Sequence, residues 1–232
     1  MTDRHPLCRL FLIVLLLWGC AKQPAPSLDL VLLHTNDIHS YVAGRDEDGN
    51  ACPQSADCTG GMGRIAAVAQ AERRKADNVL LLDAGDQFQG TLFFTVNGWP
   101  MLAALDNMLG YDAMTLGNHE FDKGCAELAA YVGALHYPVL AANLDAQPGC
   151  PLYGLPVKPY VVTLAAACPQ TRFMGSAAAL KKAVGELQKQ DVRHIVLISH
   201  LGLPVDRELA RSVDGVDVIV GGHTHSYLGP GS

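Results

Sequence analysis

The chain has 232 residues, of which 49% are hydrophobic and 17% are charged, and its formal net charge at pH 7 is −6. This composition is typical of a globular domain with a sizeable core, and the length does not require a second domain. The acidic balance argues against a basic surface that holds a nucleic acid polymer. Small anionic substrates are not excluded, because bound divalent metals would reverse the local electric field.

The first 20 residues are typical of a secretory leader. Two arginines give a basic start, and an unbroken apolar run follows from Leu10 to Trp18. This run is too short to span a bilayer comfortably as a helix. It ends in Gly19-Cys20, which resembles a bacterial lipobox with Cys20 as the lipidated residue, although the bulky Trp18 departs from that pattern.

Three interpretations of this leader are open: a signal peptide of the lipoprotein type, a simple cleaved signal and a retained anchor. We expect the first, in an exported protein of the bacterial periplasm or outer membrane, with a lipid on Cys20 as its membrane anchor. Residues 21–27 contain two prolines and predict a linker. We expect residues 28–232 to form the folded domain.

Beyond the linker, short apolar strands alternate with helices. The predicted strands cover residues 28–34, 78–82, 111–116, 138–142, 158–164, 193–198 and 216–220. The predicted helices cover residues 63–75, 100–109, 123–135, 177–190 and 207–212. Several strands are apolar throughout, which favours a mainly parallel α/β sheet covered on both faces. In such sheets, functional sites lie at the carboxyl ends of the strands.

Five of the seven cysteines lie beyond the leader. Cys52 and Cys58 flank a short polar loop, and we expect a loop-closing disulfide between them if the compartment is oxidising. A zinc site there is disfavoured, because no second Cys or His pair lies near in sequence. A pair between Cys150 and Cys168 is the second disulfide considered, and the odd number leaves at least one thiol unpaired.

Polar clusters follow the first two strands. Asp37 and His39 are two residues apart, so both side chains point the same way if the backbone stays extended. A carboxylate beside an imidazole is a common pairing for zinc, manganese or iron. Asp86 enters a glycine-bounded turn, and its two oxygens allow it to bridge two metals. Taken alone, a capping Asp beside a surface His, and an Asx turn or helix cap at Asp86, are the simpler explanations.

Later strands end in residues of similar chemistry. Asn118 would be a neutral ligand that limits the negative charge of the site. His200 follows a strand directly, and a buried histidine with satisfied hydrogen bonds is the alternative there. His223 and His225 repeat the two-residue spacing after two glycines, which let the backbone pass close to a ligand.

Together these positions predict a two-metal centre. Two carboxylates, one amide and four imidazoles supply enough ligands for two divalent ions with open positions for water and substrate. Two such ions about 3.5–4 Å apart can activate a hydroxide and clamp both sides of an in-line displacement at phosphorus. His119 is then left as an acid or electrostatic stabiliser near the leaving oxygen, and Asp122 is placed to orient its ring and raise its pKa.

The chain resembles the calcineurin-like metallophosphoesterases through five ordered motifs: Asp37-x-His39, Gly85-Asp86, Gly117-Asn118-His119-Glu120, Ser199-His200 and Gly222-His223-Thr224-His225. The longer strings LHTNDIHS, DAGDQFQGT, YDAMTLGNHEFD, ISHLG and DVIVGGHTH resemble the bacterial 5′-nucleotidase family, which includes UDP-sugar hydrolases and cyclic phosphodiesterases. This resemblance runs from about Leu28 to Leu228.

The resemblance implies a four-layer αββα metallophosphatase sandwich and a hydrolase of nucleotides or related small phosphoesters. It also implies two divalent ions, which would be zinc, manganese, cobalt or iron. Carried over position by position, one ion would be held by Asp37, His39, Asp86 and His225. The other would be held by Asp86, Asn118, His200 and His223. His119 and Asp122 would form the catalytic dyad.

The sequence departs from the family pattern in three places. Family members usually continue into a C-terminal domain that recognises phosphate and base, so we expect this substrate domain to be absent and assign no residue to nucleotide recognition. Residues 165–175 lack the hydrophobic strand usual there, so we expect one shortened sheet element around residues 164–177. A polar loop at residues 41–60 either shapes the site mouth or is plain surface.

Two other functions compete with hydrolysis. One is a non-catalytic surface lipoprotein that keeps its metal sites as a binding element, which the missing segments favour and the intact dyad disfavours. The other is an inactive truncated fragment that fails to fold. A cooperative thermal transition that is raised by added metal would exclude the second.

Overall fold

The structure is a computed structural model that describes residues 27–52, 58–155 and 171–229. Three predicted features therefore lie outside the described residues: the signal peptide with Cys20, the linker up to residue 26 and the strand at residues 158–164. Within the described ranges, every helix is too short or too polar to cross a bilayer.

The larger sheet has four parallel strands in the order β1-β2-β3-β4. They are β1 Val31–Thr35, β2 Val79–Asp83, β3 Ala113–Thr115 and β4 Val139–Leu140. β1 and β2 pair over their whole length, from Val31↔Val79 to Thr35↔Asp83. The parallel arrangement predicted from the apolar strands is confirmed.

Three helices cover one face of this sheet: α1 Met62–Arg73, α2 Leu92–Leu109 and α3 Cys125–Ala134. Buried side chains such as Leu81 and Met114 of the sheet, with Leu102 of α2, form the main hydrophobic core. Helix α2 begins at Leu92 rather than at residue 100, and Gly98 interrupts it with a φ of 63°. The prediction took the later proline as a helix start, whereas that proline follows a kink inside a longer helix.

A second parallel sheet packs against the opposite face of the first. It contains β7 Val196–Ser199 and β8 Val218–Gly221. Leu82 and Ala84 of the β2 region form one buried cluster with Ile198 and Val220. Helices α4 Ser176–Gln188 and α5 Leu203–Ser212 cover the outer face through a separate core. The order helix, sheet, sheet, helix confirms the αββα sandwich.

A two-stranded antiparallel sheet lies outside these two sheets. Strand β5, Leu144–Ala146, pairs with β6, Thr171–Phe173. Residues 165–175, predicted to lack the usual hydrophobic strand, therefore contain the short strand β6, which pairs with β5 although its own sequence has no apolar run. The shortened element expected around residues 164–177 stays a prediction for residues 164–170, which lie outside the described ranges.

The cysteines divide into bonded and free. The predicted Cys52–Cys58 disulfide is confirmed, with Cα atoms 6.0 Å apart. Cys125 is also disulfide-bonded. The pair considered between Cys150 and Cys168 is wrong, because Cys150 is a free thiol that is buried in the main hydrophobic core.

Candidate active site

The segments that follow β1, β2, β3, β7 and β8 meet at the carboxyl ends of these strands. His200 Nε2 lies 3.0 Å from Asp86 Oδ2. His225 Nε2 lies 3.3 Å from Asp37 Oδ1. His223 Nδ1 lies 3.0 Å from Asn118 Oδ1. With His39 Nε2 at 3.8 Å from Asp86 Oδ2, all seven residues predicted as metal ligands lie in one cluster.

The cluster divides into overlapping groups of potential ligand atoms, each lying within 4.8 Å of one another. One group contains Asp37, His39 and His225, and another contains Asp86, His200 and His223. These two groups match the two predicted ligand sets, except that the first group lacks the shared Asp86 and the second lacks Asn118. A third group joins His39 and Asp86 to His119. His119 therefore lies against the centre rather than away from it.

The environment of His200 tests whether these residues fit a metal. Its Nδ1 lies 2.6 Å from the carbonyl oxygen of Ala84. Because a carbonyl oxygen only accepts, Nδ1 carries a proton and Nε2 of the neutral ring is a lone-pair donor. This Nε2 is buried without a hydrogen bond, yet it lies 3.0 Å from the Asp86 carboxylate. Without a metal, a proton on Nε2 satisfies this contact. A divalent metal in place of that proton would bind both the imidazole and the carboxylate, so the donor set fits a metal.

The pKa of His200 reflects the same contact with Asp86. Burial alone lowers its pKa, but contact with the Asp86 carboxylate outweighs burial and raises the pKa to about 9. His39 has a similar arrangement, with Nδ1 3.0 Å from the carbonyl oxygen of Phe88 and Nε2 facing Asp86. Main-chain carbonyls thus fix which ring nitrogen of each histidine faces the centre.

The backbone at the centre is strained. Five of the predicted ligands have left-handed backbone, with φ of 50° at Asp37, 49° at His39, 61° at Asp86, 79° at His223 and 49° at His225. Each such non-glycine residue costs about 1–3 kcal/mol and persists only where its surroundings hold it there. Strain concentrated in this way is typical of a functional site.

The chain turns between Asp37 and His39 instead of staying extended, so the condition under which both side chains were predicted to point the same way is not met. The N–H of Asp37 donates to the carbonyl of Gly85, and the N–H of His39 donates to the carbonyl of Asp86, both at 2.9 Å. The chain therefore follows the loop after β2 instead of continuing the sheet. The turn still brings the side chains of Asp37 and His39 to the same centre.

Two glycines are required by close approach. A Cβ at Gly117 would overlap the carboxylate of Asp86. A Cβ at Gly222 would lie 2.8 Å from Nδ1 of His200 and 3.2 Å from Oδ2 of Asp37. Both positions therefore exclude a larger residue, since the backbone passes directly against predicted ligands.

His119 and Asp122 form a pair at the mouth of the centre. Nδ1 of His119 lies 2.6 Å from Oδ2 of Asp122, and the side chains are 39% and 37% exposed. Partial burial lowers the pKa of His119, but the Asp122 hydrogen bond and the charge of Asp86 outweigh it, so the pKa is raised. The ring is therefore accessible and inclined to carry a proton.

Glu120 is a residue to which sequence reasoning assigned no role. It is fully buried, and burial raises its pKa. Its carboxylate accepts main-chain N–H groups from Asp86, Gln87, Phe88 and Gly117. The two loops that carry Asp86 and Asn118 are thus tied together by one side chain. The only sequence signal was an acidic residue inside the Gly-Asn-His-Glu motif itself.

Comparison with known proteins agrees with this geometry. Residues 30–227 match the calcineurin-like phosphoesterase family. The chain is 36% identical to a 5′-nucleotidase of Bos taurus, over 99% of this chain and 43% of that protein. It is also similar to the solved structure of a Haemophilus influenzae NAD nucleotidase, at 31% identity and a TM-score of 0.77, covering 87% of this chain and 39% of that one.

A second solved structure, a 5′-nucleotidase precursor from Thermus thermophilus, is 36% identical with a TM-score of 0.77. The match covers 86% of this chain and 42% of that one. The chain therefore spans about two fifths of the length of these relatives. With five motifs gathered around one centre and a family match along nearly the whole described chain, the protein belongs to the calcineurin-like phosphoesterase family.

Proposed function

We propose that this chain is the catalytic domain of a dimetal-dependent hydrolase that acts on nucleotides or related small phosphoesters. The observation that carries the proposal is the pair of adjoining ligand groups with the His119–Asp122 pair at their edge. The nucleotide class is supported by the similarity to proteins named 5′-nucleotidase. Residues that recognise a base are not assigned.

The proposed ligands divide around Asp86. One ion is assigned to Asp37, His39, Asp86 and His225, and the other to Asp86, Asn118, His200 and His223. Oδ2 of Asp86 lies 3.0 Å from a histidine of one set and 3.8 Å from a histidine of the other, which supports a bridging role. The donor set suits zinc, manganese, cobalt or iron. When bound, two such ions polarise the phosphoester and activate water for attack.

The proton for the leaving oxygen is assigned to His119. Asp122 fixes Nδ1, which leaves Nε2 of His119 as the nitrogen that faces substrate. The raised pKa favours the protonated ring, as a general acid requires. Asn118 adds an oxygen ligand without adding negative charge, so the centre stays attractive to an anionic phosphate.

The proposed setting is outside the cytoplasm. The basic and apolar leader ending at Cys20 supports export with a lipid anchor. The Cys52–Cys58 disulfide supports an oxidising compartment. The proposed division is a signal peptide at residues 1–20, a linker at 21–27 and the catalytic domain at 28–232.

The test is metal binding measured together with turnover. The purified chain, loaded with manganese, cobalt or zinc, is assayed with p-nitrophenyl phosphate and with AMP, and metal per chain is measured by elemental analysis. We expect two ions per chain and hydrolysis. Asp86→Asn should lose both, whereas the matched exposed control Asp214→Asn should lose neither.

Two results would overturn the proposal. Two bound ions without turnover of any phosphoester would favour a non-catalytic metal-binding lipoprotein. A chain without a cooperative thermal transition would be an inactive fragment.

A further inference from the structure

We propose that Asp206, on helix α5, is a positioning residue of the metal centre. Through its carboxylate it holds the end of β7 against the end of β8, and so sets the spacing between His200 and His223. This inference rests on the metal centre of the proposed function. None of the metal-ligand groups contains Asp206, so its role would be exerted through other residues.

The first contact of Asp206 is with the residue before His200. The hydroxyl of Ser199 donates to Oδ1 of Asp206, and both side chains are buried. The same hydroxyl oxygen accepts the N–H of Leu201 at 3.3 Å. The Asp206–Ser199 pair therefore reaches the main chain on both sides of His200, which limits how the ring can move.

The second contact is with the last residue of β8. A Cβ at Gly221 would overlap Oδ2 of Asp206, so the carboxylate lies directly against this part of the backbone. Gly221 is paired with Ser199 in the parallel register of the two strands. One carboxylate thus spans the terminal residue pair of the sheet, just before the chain enters His200 on one strand and His223 on the other.

The start of α5 makes a further contact with the segment that follows β8. The N–H of Leu203 donates to Oγ1 of Thr224 at 3.2 Å, and Thr224 stands between His223 and His225. The rings of His200 and His223 lie with their centroids 5.3 Å apart. The first turn of α5 is therefore in contact with the segments that carry three of the proposed ligands.

Two simpler roles for Asp206 make different predictions. An acidic residue in the first turn stabilises a helix through its dipole, which would affect folding but not metal affinity. A buried negative charge near the centre would attract a cation at a distance, so its effect would depend on charge alone. Positioning through hydrogen bonds depends instead on an oxygen that accepts from Ser199.

The test measures metal affinity in the full chain after removal of bound metal, by competition with a chromogenic chelator for zinc. Residues that hydrogen-bond metal ligands directly typically contribute 10- to 100-fold in affinity. Asp206 acts one contact further out, through Ser199 and Gly221, so we expect Asp206→Ala to bind zinc about tenfold more weakly, at the low end of that range. Asp206→Asn keeps an accepting oxygen and should stay close to wild type. Glu208→Gln, an exposed acid on the same helix, is the matched control and should not change.

A double-variant cycle with Ser199 completes the test. Ser199→Ala should weaken zinc binding in the same direction, and the double variant should be no weaker than the poorer single variant, because both changes remove one shared contact. If Asp206→Ala does not fold, Asp206→Asn and Ser199→Ala still decide the matter.

Three outcomes would overturn the inference. Lower thermal stability of Asp206→Ala with unchanged zinc affinity would make the residue structural only. Equal losses in Asp206→Asn and Asp206→Ala would assign the effect to charge. If the wild-type chain binds no metal, the proposed function fails together with this inference, whereas normal metal binding and turnover in Asp206→Ala would remove this inference alone.

Discussion

His119 is held from two directions: Nδ1 lies 2.6 Å from Oδ2 of Asp122, and its main-chain N–H donates to Oδ1 of Asp86 at 2.9 Å. The exposed histidine and the buried carboxylate at the middle of the cluster are therefore connected directly. This contact fixes the main chain of the proposed proton donor relative to the proposed bridging ligand.

His119→Ala should lower kcat about 10²- to 10⁴-fold, the usual range for loss of a general acid or base. Metal content should stay unchanged, because His119 is outside both assigned ligand sets. Turnover of p-nitrophenyl phosphate and elemental analysis check this, with the exposed His136→Ala as the control. Loss of an ion in His119→Ala would instead support the third group, in which His119 is a ligand with His39 and Asp86.

Glu120→Gln should lower the free energy of unfolding by about 3 kcal/mol, because a carboxylate that accepts buried N–H groups is replaced by an amide that directs two donors toward them. It should also weaken metal binding, since the N–H of Asp86 is one of those donors. Urea unfolding and metal competition measure the two effects. The exposed Glu127→Gln should change neither stability nor metal binding. Unaltered stability in Glu120→Gln would show that Glu120 does not hold the two loops together.

Asp83 should make stability fall as pH rises. Burial raises the pKa of Asp83 from 3.8 to about 7, against the opposing hydrogen bond from Gln87. Between pH 3.8 and about pH 7, Asp83 is protonated in the folded state and ionised in the unfolded state. The free energy of unfolding therefore decreases as the pH rises through this range. The loss is complete above about pH 7.

Asp83→Asn should remove this part of the pH dependence. The amide of Gln87 can rotate to offer Oε1, which has no hydrogen-bond partner, to the new side chain. The difference in stability between wild type and Asp83→Asn, measured by urea unfolding from pH 4 to 8, should change steadily in favour of the variant. A difference that does not vary with pH would contradict the raised pKa, and the exposed Asp77→Asn provides the baseline.

Removal of the Cys52–Cys58 disulfide by double substitution with serine should lower the free energy of unfolding by about 2 kcal/mol. The estimate follows from the loop-closure entropy of a short loop, here with a sequence separation of 6. Thermal unfolding measures it. We expect kcat to stay near wild type because neither cysteine belongs to the ligand groups, and a large fall in kcat would show that the loop shapes the site.

The strand-end placement of the site could be predicted because it depends on local patterns. The runs VLLL in β2 and VLI in β7 are apolar up to the last residue of each strand, which indicates strands buried on both faces. Parallel strands bring their carboxyl ends together, so the polar residues that follow them converge.

The parts that could not be predicted depend on distant main-chain partners. The turn at Asp37 is set by the carbonyl of Gly85, and strand β6 exists because it pairs with β5. Glu120 and Asp206 were missed for a related reason. Their partners are backbone groups or a hydroxyl on other segments, and a search for ligand and catalytic chemistry does not detect such bracing.

The left-handed backbone at five proposed ligands has a consequence for how this protein can change. Glycine or asparagine would relieve the strain at positions such as His39 or His225 and would make the metal-free chain more stable. The same replacements would remove ligands, so gains in folding stability and losses of function coincide at these positions. A selection for heat resistance that does not require hydrolysis would therefore be expected to enrich substitutions at these ligand positions first.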